Sequence, residues 1–234
     1  MSIRLFIPKA LIASSIVDLR MKETLYQQRT LLLSITFLIC FLIVAFNRTS
    51  FSPINLSINL WAASINMDSF NYAAKLISIA FDTIALVFVT VVVATILFLF
   101  HKRRYSFLLL GGMTGAAVLV EISKTLTANM RPPNGIILAT NFSFPSGHTT
   151  SAIVLFGLFT YIAWKHWKTK KTRVLTCAVY VSAVVLVGFD RIYLNVHWLS
   201  DIVGAVFLGA FWLAFTIYIF NRLIVSDRIK SFLK

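Results

Sequence analysis

Six residues in the C-terminal two-thirds of the chain stand out for the chemistry they would do together: Lys124, Arg131, His148, Arg191, His197 and Asp201. Each falls at or beside the end of an apolar segment, where ionisable groups are costly and mark function by default. Three cations and two imidazoles gathered in one place repel each other unless an anion lies among them. The arginines offer planar forks suited to two oxygens at once, and the lysine offers a compact charge. The set therefore calls for a polyanionic ligand. Asp201 follows His197 by four residues, which on a helix is the same face, so the carboxylate can hold one ring nitrogen and leave the other free.

The spacing is specific. Lys124 is followed after six residues by Arg131-Pro132, then by Pro145-Ser146-Gly147-His148. Asp190-Arg191 comes next, then five residues, His197, three residues and Asp201. This resembles the type 2 phosphatidic acid phosphatase family, whose pattern is K-x6-RP, PSGH and SR-x5-H-x3-D. That family includes membrane lipid phosphatases, glucose-6-phosphatase, soluble bacterial acid phosphatases and vanadium haloperoxidases. All three elements occur in order across residues 124–201.

The resemblance implies a role for each residue. His197 would attack phosphorus and carry a transient phosphoryl group. Asp201 would fix its tautomer and stabilise the imidazolium character that develops. His148 would protonate the leaving oxygen and then activate water. Lys124, Arg131 and Arg191 would hold the phosphate oxygens, a form of charge stabilisation that commonly supplies the largest share of phosphoryl-transfer catalysis. Ser146 and Gly147 would complete the phosphate site at a helix N-terminus, where free backbone N–H groups favour an anion. Gly147 permits close backbone approach, and the Ser146 hydroxyl can donate.

One position departs from the pattern: Asp190 stands where the family usually has serine. A carboxylate beside a phosphate must pair with a cation, Arg191 being nearest, or turn to solvent, so Asp190 stays outside the predicted site. Glu121, three residues before Lys124, either orients and partly neutralises that lysine or faces another helix. Asp82 is an unassigned carboxylate in the second apolar segment. The eight acidic residues form no HExxH and no carboxylate pair at ligand spacing, so neither metal nor other cofactor is expected.

The elements that must position these groups are apolar helices. The 234 residues are 59% hydrophobic and only 13% charged, against about a quarter charged in an ordinary soluble domain. Six apolar segments approach the roughly 20 residues that cross a bilayer, near 30–46, 77–100, 106–127, 147–164, 174–190 and 199–220. The first is barely long enough alone, and flanking residues or local thinning must complete it. The fold class expected is all-α, a polytopic membrane protein built as one six-helix bundle. Its single domain would comprise a cytoplasmic N-terminal segment (1–29), the bundle (30–220) and a cytoplasmic tail (221–234).

The net charge of +14 reports topology. Arg4, Lys9, Arg20, Lys22 and Arg29 precede the first segment; Lys102, Arg103 and Arg104 follow the second. Lys165, Lys168, Lys170, Lys171 and Arg173 follow the fourth, and Arg222, Arg228, Lys230 and Lys234 follow the last. Seventeen of the 22 basic residues thus share one side if the spans alternate, which makes that side cytoplasmic and places both termini there. Nucleic acid binding needs a basic face with base-contacting or stacking elements, and no such arrangement is present.

Several smaller features complete the reading. In the N-terminal segment, Pro8 and Lys9 interrupt the apolar run, so a short interfacial helix is expected in place of a cleaved signal peptide. Residues 47–76 hold a mixed pattern fitting a helix in the interface with Trp61 as an aromatic anchor. Residues 128–146, with Arg131-Pro132-Pro133-Asn134-Gly135, read as irregular loop. Gly111 with Gly115, and Ala205 with Gly209, are small pairs that admit a neighbouring helix. Cys40 and Cys177 read as small core residues.

The function expected is a metal-independent lipid phosphatase in the plasma (inner) membrane, its site facing the periplasmic or extracellular side. Candidate substrates are polyprenyl diphosphates, phosphatidate, phosphatidylglycerophosphate and lipid A-type phosphates. The lipid substrate and the bilayer are the partners expected, with no obligate protein partner. Phosphotransfer to a lipid or sugar hydroxyl is an enzymatic alternative. Transport of an anionic lipid is the alternative from another class, disfavoured because the basic cluster lies at one surface and no inverted repeat is evident.

Overall fold

A computed structural model describes residues 9–167 and 169–232. Eight α-helices account for most of them: α1 (Lys9–Phe46), α2 (Ser52–Ser64), α3 (Asp68–Ala80), α4 (Thr83–Leu99), α5 (Arg103–Thr127), α6 (Gly147–His166), α7 (Lys170–Tyr193) and α8 (Leu199–Phe232). A 3-10 turn, Arg48–Phe51, joins α1 to α2. No strand occurs among the described residues. Four helices carry stretches long and apolar enough to cross a membrane, at 23–46, 103–127, 170–193 and 199–224; α3 and α4 together make a fifth if the bent pair is one span.

The expected second span, 77–100, is broken. α3 ends at Ala80, α4 starts at Thr83, and the two meet at 44°. Asp82 explains the break, because its side chain accepts a hydrogen bond from the Ile84 N–H and caps α4. A capping carboxylate favours a new helix start over continuation through that point.

No helix break accompanies the expected boundary between residues 29 and 30. Helix α1 runs uninterrupted from Lys9, so its 38 residues reach about 57 Å at 1.5 Å per residue, against a hydrocarbon layer of about 30 Å. Arg29 marks a change of side-chain chemistry along a continuous helix, and so does Arg222 within α8. Residues 1–8, part of the expected interfacial helix, lie outside the described residues.

Helix α6 sits at the centre, against α4, α5, α7 and α8. Its residues Ala152, Val154, Leu155 and Leu158 are buried. A helix ringed by helices tolerates a polar first turn (His148-Thr149-Thr150-Ser151), and α6 is not among the four helices long and apolar enough to cross a membrane. Helix α1 packs along α8 from outside, and Phe41, Phe144 and Leu208 form a core between them.

Small residues allow the close approaches, with one correction. Gly115 faces Trp212, whose ring would lie 2.0 Å from an added Cβ, while nothing stands within 4 Å of Gly111. Gly112 is its replacement, facing Leu158 and accepting from Trp212 Nε1 at its carbonyl. Residues 112 and 115 share the buried face; 111 turns outward. Gly209 meets Ile153 and Ala205 is fully buried, as the small pair on α8 requires.

Candidate active site

Helices α5 and α7 end, and α6 and α8 begin, at one end of the bundle. The irregular segment 128–146 folds over that end, tied down by Ile136 N–H to the Leu194 carbonyl and Ser143 N–H to the Asn129 carbonyl. Beneath it is a cavity of about 480 Å³. Lys124, Arg131, Gly147, His148, Arg191 and His197 all line it, so residues from three helices and two loops converge there. Two other predicted residues, Ser146 and Asp201, lie behind the wall.

His197 is held from two sides. Its Nδ1 lies 3.2 Å from Asp201 Oδ2, and its Nε2 lies 3.2 Å from Arg131 Nη1. A carboxylate accepts only, so Nδ1 carries the proton and the Nε2 lone pair accepts from Arg131 Nη1, a cation that also lines the cavity. Burial pushes the His197 pKa down to about 4; the bond and charge of Asp201 oppose this, and Arg131 and Arg191 add to it. The ring is therefore neutral near pH 7, the state a nucleophilic imidazole needs. His197 lies two residues before α8, so the pair forms across a helix start. Asp201, in the first turn, also accepts from the Trp198 N–H at 2.9 Å, reaching back as the far residue of a capping box does. Asn129 Nδ2 donates to its other oxygen at 3.3 Å.

The cations are each braced. Lys124 is buried and ion-paired with the exposed Glu121 at 3.6 Å, so of the two readings of Glu121 the lysine partner is the one found. Arg131 donates from Nε and Nη2 to the carbonyl and side-chain oxygen of Asn141, and from Nη1 to the Val196 carbonyl. Burial and Arg191 lower its pKa while Asp201 raises it, and a guanidinium stays charged throughout. Arg191 donates from Nε and Nη2 to one oxygen of Asp190, both residues being buried. Asp190 thus pairs with the cation beside it and does not turn to solvent.

The start of α6 needs one correction. The Ser146 hydroxyl turns into the helix, accepting from the Thr149 N–H and meeting Thr149 Oγ1 at 3.1 Å, and it does not line the cavity. Its use is as N-cap, which its position immediately before the helix favours. The Ser146 N–H is taken by the Asp201 carbonyl. The Gly147 and His148 N–H groups remain as first-turn donors without an acceptor inside the helix. A Cβ on Gly147 would meet Val120 Cγ1 at 3.5 Å and Lys124 Nζ at 4.0 Å, ordinary contact distances, so Gly147 lies at the cavity wall beside the lysine.

Several positioning residues gave no sequence signal. Asn55 on α2 bonds Ser200 through both its amide groups, and Asn59 donates to Asn195 Oδ1 at 2.7 Å. Asn195 has φ 53°, a left-handed conformation that asparagine tolerates, where the chain turns toward His197. Helix α2 thereby clamps the loop bearing His197. Residues 47–76 accordingly hold two helices, and Trp61 rests edge-on against Phe189. Among the described residues no group of three or more His, Cys, Asp or Glu has the arrangement to hold a metal ion.

Residues 105–224, just over half of the chain, match the family model of the PAP2 superfamily. The chain belongs to that superfamily. The matched stretch spans α5 to α8 and includes every predicted site residue. Among curated PAP2 relatives, phosphatidylglycerophosphatase B of Bacillus subtilis is 31% identical over 116 residues, 47% of this chain and 56% of the relative. Undecaprenyl-diphosphatase of Sulfolobus acidocaldarius is 31% identical over 140 residues, 55% of this chain and 61% of the relative. The chain thus aligns with a little over half the length of each. A transmembrane PAP2 type phosphatidylglycerolphosphate phosphatase from Bacillus subtilis has the same fold, with TM-score 0.74 at 23% identity, covering 79% of this chain and 94% of that one. The protein is therefore an α-helical membrane protein of PAP2 architecture.

Proposed function

We propose that this PAP2 protein is a lipid phosphatase that hydrolyses a phosphomonoester or diphosphate of a membrane lipid through a phosphohistidine on His197. The observation that supports this most directly is the state of His197: Nδ1 against Asp201, and an unprotonated Nε2 that meets Arg131 Nη1 at the wall of a cavity lined by Lys124, Arg131 and Arg191. In the first step Nε2 attacks phosphorus, the bond to the leaving oxygen breaks, and His148 gives that oxygen a proton. In the second, His148 takes a proton from water, whose oxygen attacks phosphorus and releases His197 and phosphate. The three cations and the Gly147 and His148 N–H groups hold the oxygens on which charge accumulates, work that requires no metal ion.

The chain acts as one domain with six spans: α1, the bent pair α3–α4, α5, α6, α7 and α8. Both termini lie in the cytoplasm, in keeping with the basic residues at the end of the bundle away from His197. The site then opens at the extracytoplasmic face of the plasma membrane, at a depth where a substrate's tail stays in the bilayer. The names of the two curated relatives favour phosphatidylglycerophosphate or a polyprenyl diphosphate as substrate. Phosphate release from a panel of lipid mono- and diphosphates, without added metal, tests the reading. At least one substrate should turn over, and His197→Ala should abolish it; release that survives the substitution overturns the assignment.

A further inference from the structure

His148 has a carboxylate of its own. Its Nε2 lies 3.3 Å from Asp82 Oδ2, and both residues line the cavity. Sixty-six positions separate them, joined because the break between α3 and α4 brings the start of α4 against the start of α6. The two oxygens of Asp82 divide the work: Oδ1 takes the Ile84 N–H and caps α4, while Oδ2 faces the imidazole. The cap fixes the carboxylate to a helix terminus, so its placement does not depend on a loose rotamer.

We propose that Asp82 is the positioning residue of the acid–base histidine, an inference that rests on the phosphohistidine reading above. A general acid here must carry a positive charge amid Lys124, Arg131 and Arg191, and Asp82 is the carboxylate in contact with it. Because Nε2 is the nitrogen beside Asp82, at 3.3 Å, Nδ1 is the one assigned to trade the proton. In the first step the Nδ1 proton passes to the leaving oxygen as the P–O bond breaks, leaving neutral His148 with its Nε2 proton still on the ring. In the second step Nδ1 recovers a proton from the attacking water as the P–N bond to His197 breaks. Asp82 takes no proton in either step. The site thus holds two imidazole–carboxylate pairs with opposite duties, His197–Asp201 at 3.2 Å keeping a lone pair available and His148–Asp82 keeping a proton available.

The test compares leaving groups. Dodecyl phosphate departs as an alkoxide that needs a proton, whereas p-nitrophenyl phosphate departs as a stable phenolate that does not. Asp82→Asn keeps a cap for α4 but removes the charge. Because kcat/KM covers steps only through leaving-group departure, it isolates the first proton transfer. A general acid contributes about 10²–10⁴-fold, and a residue acting through it should remove a part of that. Asp82→Asn should therefore lower kcat/KM at least about tenfold on the alkyl substrate and less than about threefold on the aryl one. Asp82→Ser, which also retains a capping oxygen, should show the same split, and Asp82→Glu should restore part of the alkyl activity. Equal losses on both substrates, or no loss on the alkyl one, overturn the proposal. His197→Ala is run alongside: activity in that variant refutes the phosphohistidine reading, whereas an inactive His197→Ala with an unaltered Asp82→Asn refutes the role of Asp82 alone.

Discussion

Replacing Asp201 by asparagine isolates the charge behind His197, the nucleophile proposed above. Oδ2 of Asp201 accepts from His197 Nδ1 at 3.2 Å and from the Trp198 N–H at 2.9 Å, while Oδ1 accepts from Asn129 Nδ2 at 3.3 Å. An amide placed there with its oxygen toward His197 keeps two of the three bonds and the tautomer, and Asn129 must turn its own amide to receive the new NH₂. What is lost is the attraction between the carboxylate and the positive charge that grows on the ring as Nε2 bonds to phosphorus. At 3.2 Å and an effective dielectric of about 20, a full charge on each partner is worth about 5 kcal/mol. With about half the charge developed at the transition state, the loss is about 2.5 kcal/mol, or roughly 10²-fold in rate. If the amide turns the other way, the proton moves to Nε2 and the loss rises toward about 10⁴-fold, as when a catalytic histidine is locked in the wrong tautomer. The assay is phosphate release from a lipid phosphate in detergent micelles, with rapid quench to follow the acid-labile phosphoenzyme. Both kcat/KM and the rate of phosphoenzyme formation should fall by the same factor of roughly 10² or more. A loss of less than about fivefold, or one confined to KM, would refute the reasoning that Asp201 acts on the charge of the attacking ring.

The other predictions follow from the same geometry. Because burial holds the His197 pKa at about 4, the reactive neutral ring is lost only as pH falls through that value. On p-nitrophenyl phosphate, whose leaving group needs no proton from His148, and after division by the fraction of substrate dianion, kcat/KM should stay level between pH 6.5 and 5, where an unperturbed imidazole would already be protonated, and decline with unit slope below about 4. A decline centred near 6.5 would contradict the buried state described. Gly115→Ala pushes a methyl into the Trp212 ring and should destabilise the protein by about 1–3 kcal/mol. Gly111→Ala, which meets nothing within 4 Å, should be neutral or stabilising by up to about 1 kcal/mol through helix propensity; thermal unfolding in one detergent compares the pair. Asn129→Ala removes a donor from Asp201 and from the Ser143 loop contact, and should lower kcat by about tenfold, the worth of one hydrogen bond to a charged group, as read by phosphate release at saturating substrate.

The membrane-spanning character and the PAP2 motifs could be read from the linear chain, and the expectation of an anionic ligand arose there too. Local physics encodes each of them: hydropathy over some 20 residues identifies a helix that a bilayer accepts, and Lys124, Arg131, Arg191, His148 and His197 report their need for an anion by residue type alone. His197 and Asp201 are close enough along the chain to be paired without knowledge of the fold. Helix ends were less legible. Arg29 and Arg222 change the solvent that a side chain prefers but leave the backbone free to remain helical, so a change in charge did not mark a helix terminus. Only the tertiary structure decided which lone polar residues meet. Asp82 reaches His148 because a capped break redirects α4, Asn129 reaches Asp201 because the loop folds over the bundle, and Ser146 turns inward because the first turn of α6 needs a cap more than the cavity needs a hydroxyl. Such contacts join residues dozens of positions apart and leave no periodicity in the chain, since each depends on where a helix starts and how closely its neighbour can approach.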